Sequence, residues 1–149
     1  MNAWIPRQIG RAVWLFATVT LGPMTALGTV DDAISYALEA ATKYIREGYT
    51  VREDQSGGDL AVGERRAIRY QLFKGNEYWF WGATDVEGAK FHLRVVDAKG
   101  NALESERWER GVAAGIRVLP PTTGTYYVVI EVLRSPEERT GWAVVYGFR

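Results

Sequence analysis

His92 is the sole histidine of a 149-residue chain, so a catalytic triad or any other histidine-based acid–base machinery must run through it. The serines that could serve as its nucleophile are Ser35, Ser56, Ser105 and Ser135, and none sits in a G-x-S-x-G elbow. In "FHLRVVD" alternation places His92 beside Arg94 and turns Phe91, Leu93 and Val95 the other way, the pattern of a histidine on a sheet face. One histidine and no cysteine exclude multi-histidine and Cys-type zinc sites, thiol catalysis and disulfide exchange. Glu104, Glu106 and Glu109 cluster in "ESERWER", and glycosidases do work with paired carboxylates across a sugar cleft. Interleaved with Arg107 and Arg110, however, the run reads as a solvated strand and loop that carries an exposed Trp108. Neither G-x-x-x-x-G-K-[ST] nor G-x-G-x-x-G occurs. No catalytic residue, cofactor or metal is assigned, and a small hydrolase using His92 ranks third among the functional readings.

Aromatic residues remain as binding chemistry. "NEYWFWGATD", residues 76–85, places four aromatics in succession. Period-two alternation puts Tyr78 and Phe80 on one face and Trp79 and Trp81 on the other. The first face joins Ile68, Tyr70, Leu72, Phe91, Leu93, Val95, Ile116, Val118, Tyr126, Val128, Ile130, Trp142, Val144 and Tyr146 as a predicted core. The opposite face collects Trp79, Trp81, Val96, Tyr127, Val129, Leu133 and Val145, more apolar than a face left to water should be. Three covers compete for it: the chain's own helix, a protein partner or second copy, and a sugar stacked on an indole. Trp79, Trp81, Tyr127 and Trp108 are the candidate ligand- or partner-binding residues.

The elements that must position these side chains begin with a helix over about 31–47. Ile34, Leu38, Ala41 and Ile45 recur at helical spacing and form its expected packing face. Asp31 and Asp32 open it, Lys43 and Arg46 close it, and Gly48 ends it. From Tyr49 the period changes to two, and about eight short strands alternate with turns such as Gln55–Asp59, Asp97–Asn101 and Pro120–Gly124. The expected fold is a mainly β, antiparallel, jelly-roll-like β-sandwich at 49–149, with residues 29–48 as a helix packed on it.

Residues 1–28 carry Arg7 and Arg11, an apolar run from Ala12 to Leu21, a Gly22-Pro23 break, and small residues at Ala26 and Gly28. This is the layout of a cleaved secretory signal, and the run is short for a membrane span. The expectation is a bacterial periplasmic or secreted protein with no membrane span after cleavage. Its domain must be held by packing alone, since it has no cysteine. Lys and Arg balance Asp and Glu at 18 each, and loss of Arg7 and Arg11 leaves a slight acidic excess, which disfavours nucleic acid as a partner.

Three stretches carry a family likeness: "LFKGNEYWFWGATDVEGAKFHLRVVDAKGN", "GIRVLPPTTGTYYVVIEV" and "GWAVVYGF". Gly75 before an aromatic strand, Asp97 and Gly100 in Asp-x-x-Gly, and Pro121, Gly124 and Tyr126 in Pro-x-x-Gly-x-Tyr resemble the bacterial pre-peptidase C-terminal domain family over about residues 60–148. The resemblance implies a jelly-roll-like sandwich from secreted proteins, and the helix is outside its pattern. Some members of that family bind calcium through acidic residues leading into the Asp-x-x-Gly strand. Here that stretch contains Lys90, and Asp85 and Asp97 read as turn residues bonding backbone N–H groups. The functional expectation is an exported, non-enzymatic module that binds a protein or envelope component. A carbohydrate-binding module using Trp79 and Trp81 is the alternative.

Overall fold

The computed structural model of the chain describes residues 29–103 and 106–149; the expected signal at 1–28 lies outside them, as do Glu104 and Ser105. The helix, α1, spans Val30–Arg46. It starts in a capping box, with the Thr29 N–H donating to Asp32 Oδ2 at 3.0 Å and the Asp32 N–H donating to Thr29 Oγ1 at 3.3 Å. Among the described residues no helix is long and apolar enough to cross a membrane.

Ten strands follow: β1 (Thr50–Val51), β2 (Ser56–Leu60), β3 (Arg65–Leu72), β4 (Tyr78–Thr84), β5 (Lys90–Asp97), β6 (Ala102–Leu103), β7 (Glu106–Arg110), β8 (Ala113–Val118), β9 (Gly124–Arg134) and β10 (Thr140–Phe148). All pair antiparallel in two sheets. The six-stranded sheet runs β1–β10–β4–β8–β7, with β2 following β1 along the same edge of β10. The four-stranded sheet runs β3–β9–β5–β6. The chain is thus the mainly β sandwich with one N-terminal helix that its alternation predicts.

Two elements depart from expectation. Residues 101–108 count as a single one of the eight expected strands, but they supply β6 to the four-stranded sheet and the start of β7 to the other. "SGGDL", read as a turn, is strand β2, paired from Ser56↔Val144 to Leu60↔Thr140. Its first glycine is a steric requirement. A Cβ on Gly57 would lie 2.8 Å from Val30 Cγ1 and 3.0 Å from the Trp142 carbonyl oxygen, because the first turn of α1 passes directly above.

Every residue of the predicted core face packs between the sheets, with Phe80, Val95, Val128, Ile130 and Val144 fully enclosed. A second core lies on the other side of the six-stranded sheet, where Ala37, Ala41 and Tyr44 of α1 meet Trp79, Trp81, Ala83 and Val145. Strand β4 is therefore buried at all seven positions, as expected of a strand covered on both faces. Of the predicted packing face, Ala41 is buried and Ile34 half-buried, but the helix is rotated away from Leu38 and Ile45. Ala33, Ala37, Ala41 and Tyr44 turn inward, while Leu38 is 41% and Ile45 55% exposed. The two indoles stack at 6.4 Å and 10°, and a ridge that bulky admits alanine beneath the helix where leucine or isoleucine would overfill.

Candidate functional site

Several described residues capable of catalysis are held in structural bonds instead. His92 Nε2 receives a hydrogen bond from Arg107 Nη1 at 3.2 Å. Ser35 Oγ donates to the Asp31 carbonyl at 2.9 Å, and Ser135 Oγ accepts the Glu137 N–H at 3.1 Å. Glu106 pairs with Arg117 at 3.3 Å. Asp97 Oδ1 accepts the Lys99 and Asn101 N–H groups, both at 2.8 Å, and Oδ2 takes the Asn101 side-chain amide at 3.0 Å. Those bonds, led by the Asn101 side chain, hold its pKa below the ordinary 3.8. Asp85 Oδ1 accepts the Gly141 N–H at 2.8 Å; burial pushes its pKa up, and the backbone bonds only partly oppose that. Among the described residues no group of three or more His, Asp or Glu side chains could hold a metal ion.

The candidate aromatics separate into three settings. Trp79 and Trp81 are 3% and 0% exposed. Tyr44 of α1 lies across both, with ring centroids 4.8 and 5.1 Å away. They cannot present a stacking platform, which overturns the reading that places a sugar on them. The apolar face they were grouped with is also two faces. Trp79, Trp81 and Val145 are under the helix, whereas Val96, Tyr127, Val129 and Leu133 belong to the outer surface of the four-stranded sheet.

Trp108 is half-buried at the wall of a cleft between α1 and the β7–β8 edge. Register places Trp81, Gly115 and Trp108 in one row across β4, β8 and β7. The indole lies across Gly115 so closely that a Cβ there would meet its Nε1, Cε2 and Cζ2. Trp108 Nε1 donates to Tyr44 Oη at 2.8 Å, fixing the ring beneath the helix. The cleft encloses about 460 Å³ and is lined by Tyr36, Glu39, Lys43, Tyr44, Trp108 and Arg110, among others. Lys43 Nζ stands 4.6 Å from the Tyr44 ring centroid and 6.0 Å from that of Trp108.

Tyr127 is half-buried on the outer surface of the four-stranded sheet. Across the strands it lies between Arg69 and Val96, the next row is Ala67, Val129 and Arg94, and the third is Arg65, Glu131 and His92. Glu131 is the one carboxylate in these rows. It forms no ion pair, and Arg65, Arg69 and Arg94 have no hydrogen-bond or ion-pair partner among the described residues. Sequence reasoning found Tyr127 and Trp108 but missed the arginines around one and Tyr36 and Lys43 beside the other. The missed signal was cross-strand register for the first and the helix flank at i and i+7 for the second. Compared with models of known protein families and with curated protein sequences, the chain matches none.

Proposed function

We propose that this chain is an exported binding module, of the pre-peptidase C-terminal domain type, that docks an acidic protein segment on the outer surface of its four-stranded sheet. One observation carries the reading. Arg65, Arg69 and Arg94 surround half-buried Tyr127 and the largely buried Val129 without carboxylate partners among the described residues, on the broad sheet face that α1 leaves uncovered. An aromatic and aliphatic centre with an arginine rim is the composition of a protein-binding patch. The local charge opposes the slight acidic excess of the domain, so an acidic partner is steered to this face. Gly75 and Gly100, with φ of 97° and 87°, suit the turns that the family pattern assigns to glycine. The engagement of His92, Ser35, Ser135, Glu106, Asp85 and Asp97 in structural bonds fits a module without catalysis.

The test titrates the labelled protein with a polyglutamate peptide and follows backbone resonances. Shifts should concentrate on β3, β5 and β9, weaken with added salt, and fall at least about tenfold in affinity in an Arg69→Glu/Arg94→Glu variant. Unaltered binding by that variant removes the sheet surface from consideration. Tighter binding to phosphatidylglycerol vesicles or DNA than to the peptide replaces the protein partner with that surface.

A further inference from the structure

The cleft between α1 and β7 lies on the opposite side of the molecule from the arginine face, and its chemistry is different. Its ionic groups are of both signs: Glu39 against Lys43 and Arg110, none of which forms a hydrogen bond or ion pair with a described residue, although the Lys43 ammonium stands over the Tyr44 ring. Counting Glu106, which Arg117 also holds, the lining carries two carboxylates and two cations. A strongly charged ligand gains little from such a lining. A hydroxyl, which donates and accepts at once, can use every group in it. The floor supplies the other half of the requirement. Trp108 rests one side on Gly115 and is locked by its bond to Tyr44, so a flat apolar surface is in place before any ligand arrives. At about 460 Å³ the cleft is within the range of small-molecule sites.

We propose that this cleft binds a neutral sugar, with the apolar face of a pyranose ring against Trp108 and its hydroxyls on Glu39, Lys43 and Arg110. The site is independent of the docking surface on the four-stranded sheet. It also differs from a platform of Trp79 and Trp81, which the helix seals.

The probes are cellobiose and di-N-acetylchitobiose, with digalacturonic acid as a charged comparator, each titrated at millimolar concentration against the labelled full chain. At least one neutral disaccharide should shift resonances of residues 36–44 and 106–113. Trp108→Ala should weaken that binding at least about tenfold, Trp108→Phe should retain most of it, and Arg69→Glu/Arg94→Glu should leave it unchanged. Lys43→Ala, whose side chain is at the surface, should weaken it while the melting temperature falls by no more than the few degrees its contact with the Tyr44 ring is worth, which separates lost contacts from lost fold. The proposal is overturned if neither neutral disaccharide moves these residues, if Trp108→Ala and Lys43→Ala bind as the parent does, or if only the acidic disaccharide binds.

Discussion

At the scale of single residues, several side chains flagged as potential chemistry are structural fasteners, and two of them give opposite responses to pH. The folded pKa of Asp97 is depressed by its bonds to Asn101 and Lys99. Its stabilisation is therefore complete above the unfolded value near 3.8 and is lost as pH falls through the folded pKa. Asp97→Asn, with one acceptor oxygen in place of two, should lower the melting temperature at pH 7, and the gap to the parent should close in acid. Asp85 is the reverse. Burial raises its folded pKa, so its contribution is favourable in acid and is lost as pH rises through that value. Asp85→Asn keeps an oxygen for the Gly141 N–H and removes the charge. Its melting temperature at pH 7 should equal or exceed the parent's, with the difference vanishing below pH 3.8. Calorimetric scans of both variants from neutral to acid pH check the two signs. The turn role of Asp97 was legible in the sequence, because Asp in a tight Asp-x-x-Gly-Asn turn bonds the local backbone whatever surrounds it, whereas Asp85, read the same way, bonds Gly141 of β10 instead of its own turn. Trp108 was legible only as an aromatic in a charged run. Its bond to Tyr44 and its seat on Gly115 join residues from three elements, and no local pattern encodes them.

At the scale of elements, the strands were readable and the rotation of the helix was not. Alternation in β4, β5 and β9 fixes which side chains face inward, because a strand has only two faces. A helix can turn about its axis, and Ile34, Leu38 and Ile45 make the more hydrophobic stripe. The alanine stripe wins because Trp79 and Trp81 already fill the space below, a property of the pair of surfaces rather than of either sequence. Enlarging the true contact should therefore hurt more than trimming the false one. Ala37→Leu or Ala41→Leu should cost roughly 1–3 kcal/mol by overpacking, whereas Leu38→Ala and Ile45→Ala should stay within about 0.5 kcal/mol. Urea unfolding of the four variants decides it, and the reverse ranking would restore the leucine–isoleucine face to the interior. Strand β2 was unreadable for a related reason: Ser-Gly-Gly has the composition of a turn and is extended because β10 pairs with it and Val30 leaves no room for a side chain.

At the scale of the molecule, the six-stranded sheet is the middle of three layers, with a core on each side, and its two outer neighbours differ in kind. The four-stranded sheet closes the larger core and keeps its far surface for solvent and charge. The helix closes the smaller one, which holds the stacked indoles of Trp79 and Trp81. Each indole carries roughly 150–250 Å² of surface. Together with Ala83 and Val145 their exposure would reach or exceed the roughly 300–600 Å² of the largest apolar patch on an ordinary monomer. The helix is then a structural lid over a hydrophobic surface, and losing it should convert that surface into a contact between copies. A chain beginning at Tyr49 should retain strand content by circular dichroism, bind a hydrophobic dye that the full chain does not, and sediment as concentration-dependent oligomers. Adding back a peptide of residues 29–48 should reverse both effects, because the alanine face and Tyr44 refill the space above Trp79 and Trp81. A truncated chain that stays monomeric and leaves the dye unbound would mean that the sheet tolerates its indoles in water and that α1 serves another purpose.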